Sequence, residues 1–333
     1  MLNILIIILG LVALKAKFNE APPADEVHSI RCSDGWPIKL YRRYEKENQG
    51  EPIILCHGIM GDPTNFMYST GNGMVDTLVE QGYDCWVMNL RGNRHCAPPI
   101  GTSRYTATYD DHYMRDFPAA IDHILTQTGF ERLHWIGHNM GGMLLYTYAA
   151  VHDTHQLASG TRIFTPPDFE DLNQKPMPIT LTSLTLVPAL ADPWLRTLAT
   201  LGPVVKLSAS FSPINWKNMA PNINFFSTTE YAPPSVLRQI HDWASSGTWK
   251  IKECIIDMME ELPKLDFPLH VIAGSIDPLS PKATLKKFHD SLSGKDKRFT
   301  LLEKETGLSN EYNHVDLVFS QNSKEEVHLP IVE

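Results

Sequence analysis

Short apolar runs and amphipathic stretches alternate along most of the chain. Glu26 to Arg31 and Pro37 to Arg42 show mixed alternation on either side of Ser33, Asp34 and Gly35, the pattern of two opening strands joined as a hairpin. Pro52 to Cys56 is continuously apolar and runs into His57, Gly58, Ile59, Met60 and Gly61, a buried parallel strand that ends in a glycine-bearing loop. Gly73 to Gln81 has helical spacing and is stopped by Gly82. Tyr83 to Asn89 is the next strand. Tyr109 to Thr128 keeps Phe117, Ala120, Ile121, Ile124 and Leu125 at helical spacing, with Asp110 and Asp111 near its start and Gly129 at its end. Pro118, inside this run, predicts a kink or restart.

Leu133 to Gly137 reads as a strand and Met140 to Val151 as a helix. His152 to Pro178 is polar and proline-bearing, an excursion before a β-branched run at Leu181 to Val187. From Pro188 to about Asp266 the pattern becomes helical pieces broken by prolines, with Trp194, Trp243, Trp249, Met258 and Met259 among them. This is an insertion of the kind that forms a cap, whose aromatic and methionine side chains either pack its own core or line an apolar chamber. Leu269 to Gly274 and Arg298 to Leu302 are the last strands, with a helix from Pro281 to Leu292 between them. Tyr312 to Asp316 opens a final helix, and the tail from Ser323 is peripheral.

Strands alternating with helices of this length predict an α/β fold with a mostly parallel sheet covered on both faces. The predicted division is a core at 26–187 and 267–322, a cap at 188–266, a linker at 18–25 and a hydrophobic segment at 1–17. Leu2 to Leu14 is an apolar run followed by Lys15 and Lys17, short for a membrane span but suited to a signal core or a shallow anchor. It points to the secretory pathway or a membrane surface.

The composition narrows the partners. With a formal charge of −9 and no basic stripe, the chain offers nothing to nucleic acid. Its five cysteines lack metal-ligand spacing, and Cys56 and Cys85 fall in buried strand runs, as small core residues do. There is no Asn-x-Ser/Thr acceptor.

The chemistry gathers around Gly137-His138-Asn139-Met140-Gly141. A strand, a sharp Gly-x-x-x-Gly turn and a helix form the nucleophile elbow of the α/β-hydrolase fold, in which the middle residue is ordinarily the attacking serine. Here it is Asn139. Asp277 after one late strand and His314 after the last complete the chain order nucleophile, acid, histidine, the order of α/β-hydrolases. Asp290 and Asp316 are competing acids. His57 and His138 flank the site as packed supports.

Four passages carry a specific resemblance: Gly82 to Asn93, Asp116 to Asp122, Leu133 to His138 and Tyr312 to Asp316. They are similar to those of the acid lipase family, which includes gastric and lysosomal lipases. The similarity runs from about residue 50 to 151 and from 265 to 320, with a fainter echo at Val236 to Lys250. The resemblance implies that Asn139, Asp277 and His314 stand at the catalytic serine, acid and histidine. It also implies that the backbone N–H groups of Ile59, after His57 and Gly58, and of Met140 form the oxyanion hole. The ligand it implies is a small apolar molecule or lipid ester, handled without metal or organic cofactor.

An amide nitrogen is not a useful nucleophile, because its lone pair is delocalised; loss of a triad nucleophile costs about 10⁶ in kcat in subtilisin. Four readings of Asn139 stay open. The chain is a lipase or esterase impaired as written, a binding protein without turnover, a general-base enzyme using His314 and Asp277, or a protein whose Asn139 deamidates to an Asp nucleophile.

Overall fold

The computed structural model describes residues 21–47, 49–67, 73–93, 95–165, 169, 230, 232–251 and 255–332. The apolar segment Leu2 to Leu14, the run Leu181 to Val187, Cys254 and most of the cap lie outside these residues. None of the described helices is long and apolar enough to cross a membrane.

Eight strands form one sheet. They are β1 (Glu26–Arg31), β2 (Pro37–Arg43), β3 (Pro52–Cys56), β4 (Asp84–Asn89), β5 (Leu133–His138), β6 (Leu157–Ile163), β7 (Leu269–Gly274) and β8 (Lys297–Leu302). Their order across the sheet is β1-β2-β4-β3-β5-β6-β7-β8. The hairpin β1-β2 and the β2-β4 pair are antiparallel, and the remaining pairs are parallel. Strands β3, β4 and β5 are buried at nearly every position because helices cover both faces.

The main helices are α1 (Met74–Glu80), α2 (Phe117–Thr128), α3 (Met140–Val151), α4 (Pro234–Ser246) and α5 (Lys282–Ser291). The expected long helix from Tyr109 is divided. A turn at Tyr109–Asp111 passes into a π-helical turn at His112–Asp116, and Pro118 sits in the first turn of α2, where the Tyr113 carbonyl five residues back accepts from His152 Nε2 at 3.0 Å in place of the missing N–H. Gly129 then ends α2 in the left-handed conformation at φ 75°.

One strand differs from the sequence pattern. Leu157–Ile163 lies beside β5 in the middle of the sheet, within the stretch whose polar residues read as an excursion. Ser159, Thr161 and Arg162 break its apolar pattern, yet its last four residues are buried because neighbouring strands and helices enclose them.

Trp135 at the sheet centre stacks on Phe117 of α2 with centroids 4.0 Å apart, so α2 packs on the strand that leads to Asn139. Below the site, the buried Arg91 guanidinium donates to Asp116 at 2.6 Å and to Asp34 at 2.6 Å, a paired charge that a core of this size can hold. The described cysteines Cys32, Cys56, Cys85 and Cys96 are all buried and free. Trp243 and Trp249 pack with Phe169 and Tyr109 as a core cluster, so these cap-region aromatics serve packing.

Candidate active site

The parallel strands end together at one edge. In register, Cys56 is paired with Gly137, His138 with Ile163, and Ile163 with Ile272. The residues that follow these strands therefore meet above the sheet.

Asn139 follows β5 and begins the turn into α3 with φ 50° and ψ −115°, a conformation an L-residue rarely adopts. Its N–H donates to the Ile163 carbonyl at 3.0 Å and its own carbonyl accepts from Gly142 N–H at 3.0 Å. Such a sharp turn needs room: a Cβ on Gly141 would stand 2.1 Å from the Cys56 carbonyl oxygen, and one on Gly137 would stand 2.4 Å from the Gly141 carbonyl carbon. The two glycines of the motif are thus required by backbone contact.

Asp277 and His314 come from the other half of the sheet. Asp277, three residues beyond β7, places Oδ2 at 2.9 Å from His314 Nδ1. Its other oxygen accepts from the N–H groups of Leu279 at 2.7 Å and Ser280 at 3.1 Å, which fix the carboxylate. Both side chains are buried. Of the competing acids, Asp316 accepts from the Asn313 N–H at 3.0 Å and so shapes the loop carrying His314. Asp290 pairs with Lys286 at the exposed end of α5. Neither takes the place of Asp277 at His314 Nδ1.

The Asn139 side chain closes the circuit. Its Nδ2 lies 2.8 Å from His314 Nε2, and its Oδ1 accepts from the Ile59 N–H at 3.3 Å. A backbone N–H can only donate, so Oδ1 must face Ile59 and the amide N–H must face His314. His314 then accepts at Nε2 and donates from Nδ1 to Asp277, which makes it the neutral imidazole. Met140, named with Ile59 as an oxyanion donor, is the first residue of α3, where a helix leaves its N–H groups without partners inside the helix.

His57, Gly58 and His138 pack beside Asn139 and His314. His57 Nδ1–H donates to the Gly58 carbonyl at 2.9 Å and Nε2 accepts from Asn93 at 3.2 Å; burial pulls its pKa below the ordinary histidine value. Gly58 lies under Asn139, where an added Cβ would come within 2.8 Å of the Asn139 Cβ. His138 Nε2–H donates to the His314 carbonyl at 3.0 Å, tying the elbow to the histidine loop. Burial, then the nearby His314, pushes its pKa down to about 3, so it stays neutral. A cavity of about 10 Å³, about the smallest that admits one water, is bordered by His57, Gly58, Asn93, His112 and Met140.

Two contributors escaped the sequence reading. Phe164, just past β6, lies nearly parallel to the His314 ring with centroids 5.9 Å apart and has φ 46°. Its place depends on Gly274, where a Cβ would be 2.2 Å from the Phe164 ring. The signal for it was the β6 strand, hidden by its polar residues. The second is Glu230, whose N–H donates to the Met60 carbonyl at 2.8 Å while its carboxylate accepts from Arg104 at 2.8 Å. With Ala232 and Leu237 packed on Ile59 and Met60, the described part of the cap region braces the loop that carries Ile59.

Fold and site together define a class. Residues 51–304 match the model of the alpha/beta hydrolase fold family, and the chain belongs to that family. Within it, the chain is lipase-like and esterase-like. It is 28% identical to the gastric triacylglycerol lipase of Bos taurus over 151 residues, covering 42% of this chain and 38% of that one. It is 28% identical over 151 residues to the lysosomal acid lipase/cholesteryl ester hydrolase of Rattus norvegicus, covering 41% and 38%. The matched segment thus spans well under half of each lipase. Among solved structures, an esterase from Thermogutta terrifontis superposes with a TM-score of 0.59 at 16% identity, covering 92% of this chain and 97% of that one, a likeness of fold.

Proposed function

We propose that the protein holds an acyl-ester site of the lipase type whose ordinary acyl-transfer step is suspended by Asn139. The observation that carries this reading is the double engagement of the Asn139 amide, with His314 Nε2 at 2.8 Å and the Ile59 N–H at 3.3 Å. Those are the contacts that a serine hydroxyl and a developing oxyanion need in acyl transfer. The orienting acid, the base and the oxyanion loop are retained, and the native ligand is a small apolar or lipid ester.

A second reading, a lipid-binding protein without turnover, is favoured by the same amide: its hydrogen bonds are satisfied with the site at rest. The apolar run Leu2 to Leu14 supports service in the secretory pathway or at a membrane surface.

The test compares short- and long-chain p-nitrophenyl esters on the protein and on Asn139→Ser, alongside labelling by a serine-directed phosphonate. The ester-site reading expects cleavage and labelling in the serine variant and neither in the unsubstituted chain. A folded serine variant that does neither overturns it. Saturable fatty-acid binding without turnover in both proteins establishes the second reading instead.

A further inference from the structure

Within this site the reactive carbonyl nearest to the machinery belongs to the protein itself. The Asn139 amide presents its oxygen to the Ile59 N–H and its nitrogen to His314 Nε2, and His314 is oriented by Asp277 at 2.9 Å. This is the disposition of a bound acyl substrate: carbonyl oxygen on an oxyanion donor, leaving nitrogen beside the general acid. The elbow backbone, held by the Ile163 carbonyl and by the Gly141 contact with Cys56, fixes the amide there.

We infer that Asn139 is a self-modification site, at which the His314–Asp277 pair hydrolyses the side-chain amide to a carboxylate. The inference rests on the reading of Ile59, Asp277 and His314 as a competent hydrolytic set. The Asn139 N–H first turns off His314 Nε2, and water then attacks Cγ as the freed nitrogen takes one of its protons. The negative charge gathers on Oδ1, facing the Ile59 N–H. The C–N bond then breaks as the imidazolium returns the proton to Nδ2, and ammonia leaves. One water is consumed and one ammonia released, with no oxidant or co-reactant. The Asn139 side chain is only part-buried, so the attacking water comes from solvent.

The product is an aspartate at the elbow, a carboxylate nucleophile where an amide stood. The route needs no attack by the Met140 backbone nitrogen, so the bulky residue after Asn139 does not slow it.

The experiment follows the peptide bearing residue 139 by mass spectrometry as the full-length folded protein ages at neutral pH, with the urea-unfolded chain as the reference for intrinsic deamidation. Conversion of amide to acid on the order of a hundred-fold faster in the folded protein is expected. In heavy-oxygen water, one label should enter the side-chain carboxyl, with no isoaspartyl product. His314→Gln, checked as folded by its thermal transition, should reduce conversion to the unfolded rate. Conversion no faster than in the unfolded chain overturns the inference. So does an isoaspartyl mixture, which marks backbone attack, or a folded His314→Gln that converts at the unsubstituted rate. The isomer and folded-versus-unfolded rate readouts use only the unsubstituted chain, so they decide the matter even if the variant does not fold. Ester cleavage by Asn139→Ser alongside an unconverted Asn139 would show that the ester-site reading stands and the self-modification fails.

Discussion

Asn139 Nδ2 donates to His314 Nε2 across 2.8 Å, so the elbow residue is hydrogen-bonded to the base while being unable to yield a useful nucleophile to it. This contact joins residues 175 positions apart in sequence. It depends on the strained elbow at one end and the Asp277 carboxylate at the other. Each prediction below perturbs one part of that arrangement.

Restoring a hydroxyl should restore acyl transfer. In Asn139→Ser, ester kcat should rise by on the order of 10³-fold or more over the unsubstituted chain, within the roughly 10⁶ that a triad nucleophile is worth. Adding His314→Gln to the serine variant should abolish the gain. Steady-state hydrolysis of a soluble ester checks both.

Gly141→Ala should destabilise the fold by about 3 kcal/mol or more, because the new Cβ would press on the Cys56 backbone, which has no rotamer with which to yield. Urea denaturation followed by far-ultraviolet dichroism measures it. A loss under about 1 kcal/mol would contradict the close strand-to-helix packing.

Phe164→Ala removes the ring that lies along His314 in the buried site. A cost of about 3 to 5 kcal/mol is expected from the cavity. In the Asn139→Ser background, kcat should fall more than KM rises, because the ring holds the base without requiring contact with the ligand. Equilibrium unfolding and ester kinetics read the two effects separately.

Acid should destabilise the protein through His57 and His138, which are buried, and His270, which is part-buried. Burial lowers the pKa of His138 to about 3 and of His270 to about 4, and lowers that of His57. The unfolded chain takes up these protons first, near the ordinary histidine pKa of 6.5, so the stabilisation is present above that pH and declines as pH falls toward the folded values. Each histidine contributes a slope of at most about 1.4 kcal/mol per pH unit in that window. Melting temperatures from neutral pH to about pH 4 should fall steadily, and His270→Gln, remote from the elbow, should flatten the curve.

Much of the core was legible from local pattern. Continuous apolar runs such as Pro52 to Cys56 mark strands buried on both faces, and the helix-forming residues after Gly141 mark the elbow's exit. Asp277 and His314 were recognisable because each follows a strand at the sheet edge. β6 was not recognisable, because its burial comes from neighbours contributed by β5, β7 and α3, which leave no trace in its own alternation. Phe164 was lost with it. Glu230 was equally silent, since its contact with Met60 is made through backbone groups that every residue possesses.

By itself, the sequence determined the α/β-hydrolase scaffold, the order of the site residues and the presence of an amide where a hydroxyl is expected, because hydrophobic period, turn glycines and side-chain chemistry are local properties. Only the tertiary structure decided what that amide does. Whether Asn139 points into solvent, fills the site inertly or bonds to base and oxyanion donor together depends on the registers of β3, β5, β6 and β7 and on the positive φ of the elbow. These are non-local constraints, and they bring the Ile59 N–H and His314 Nε2 to the two ends of one side chain.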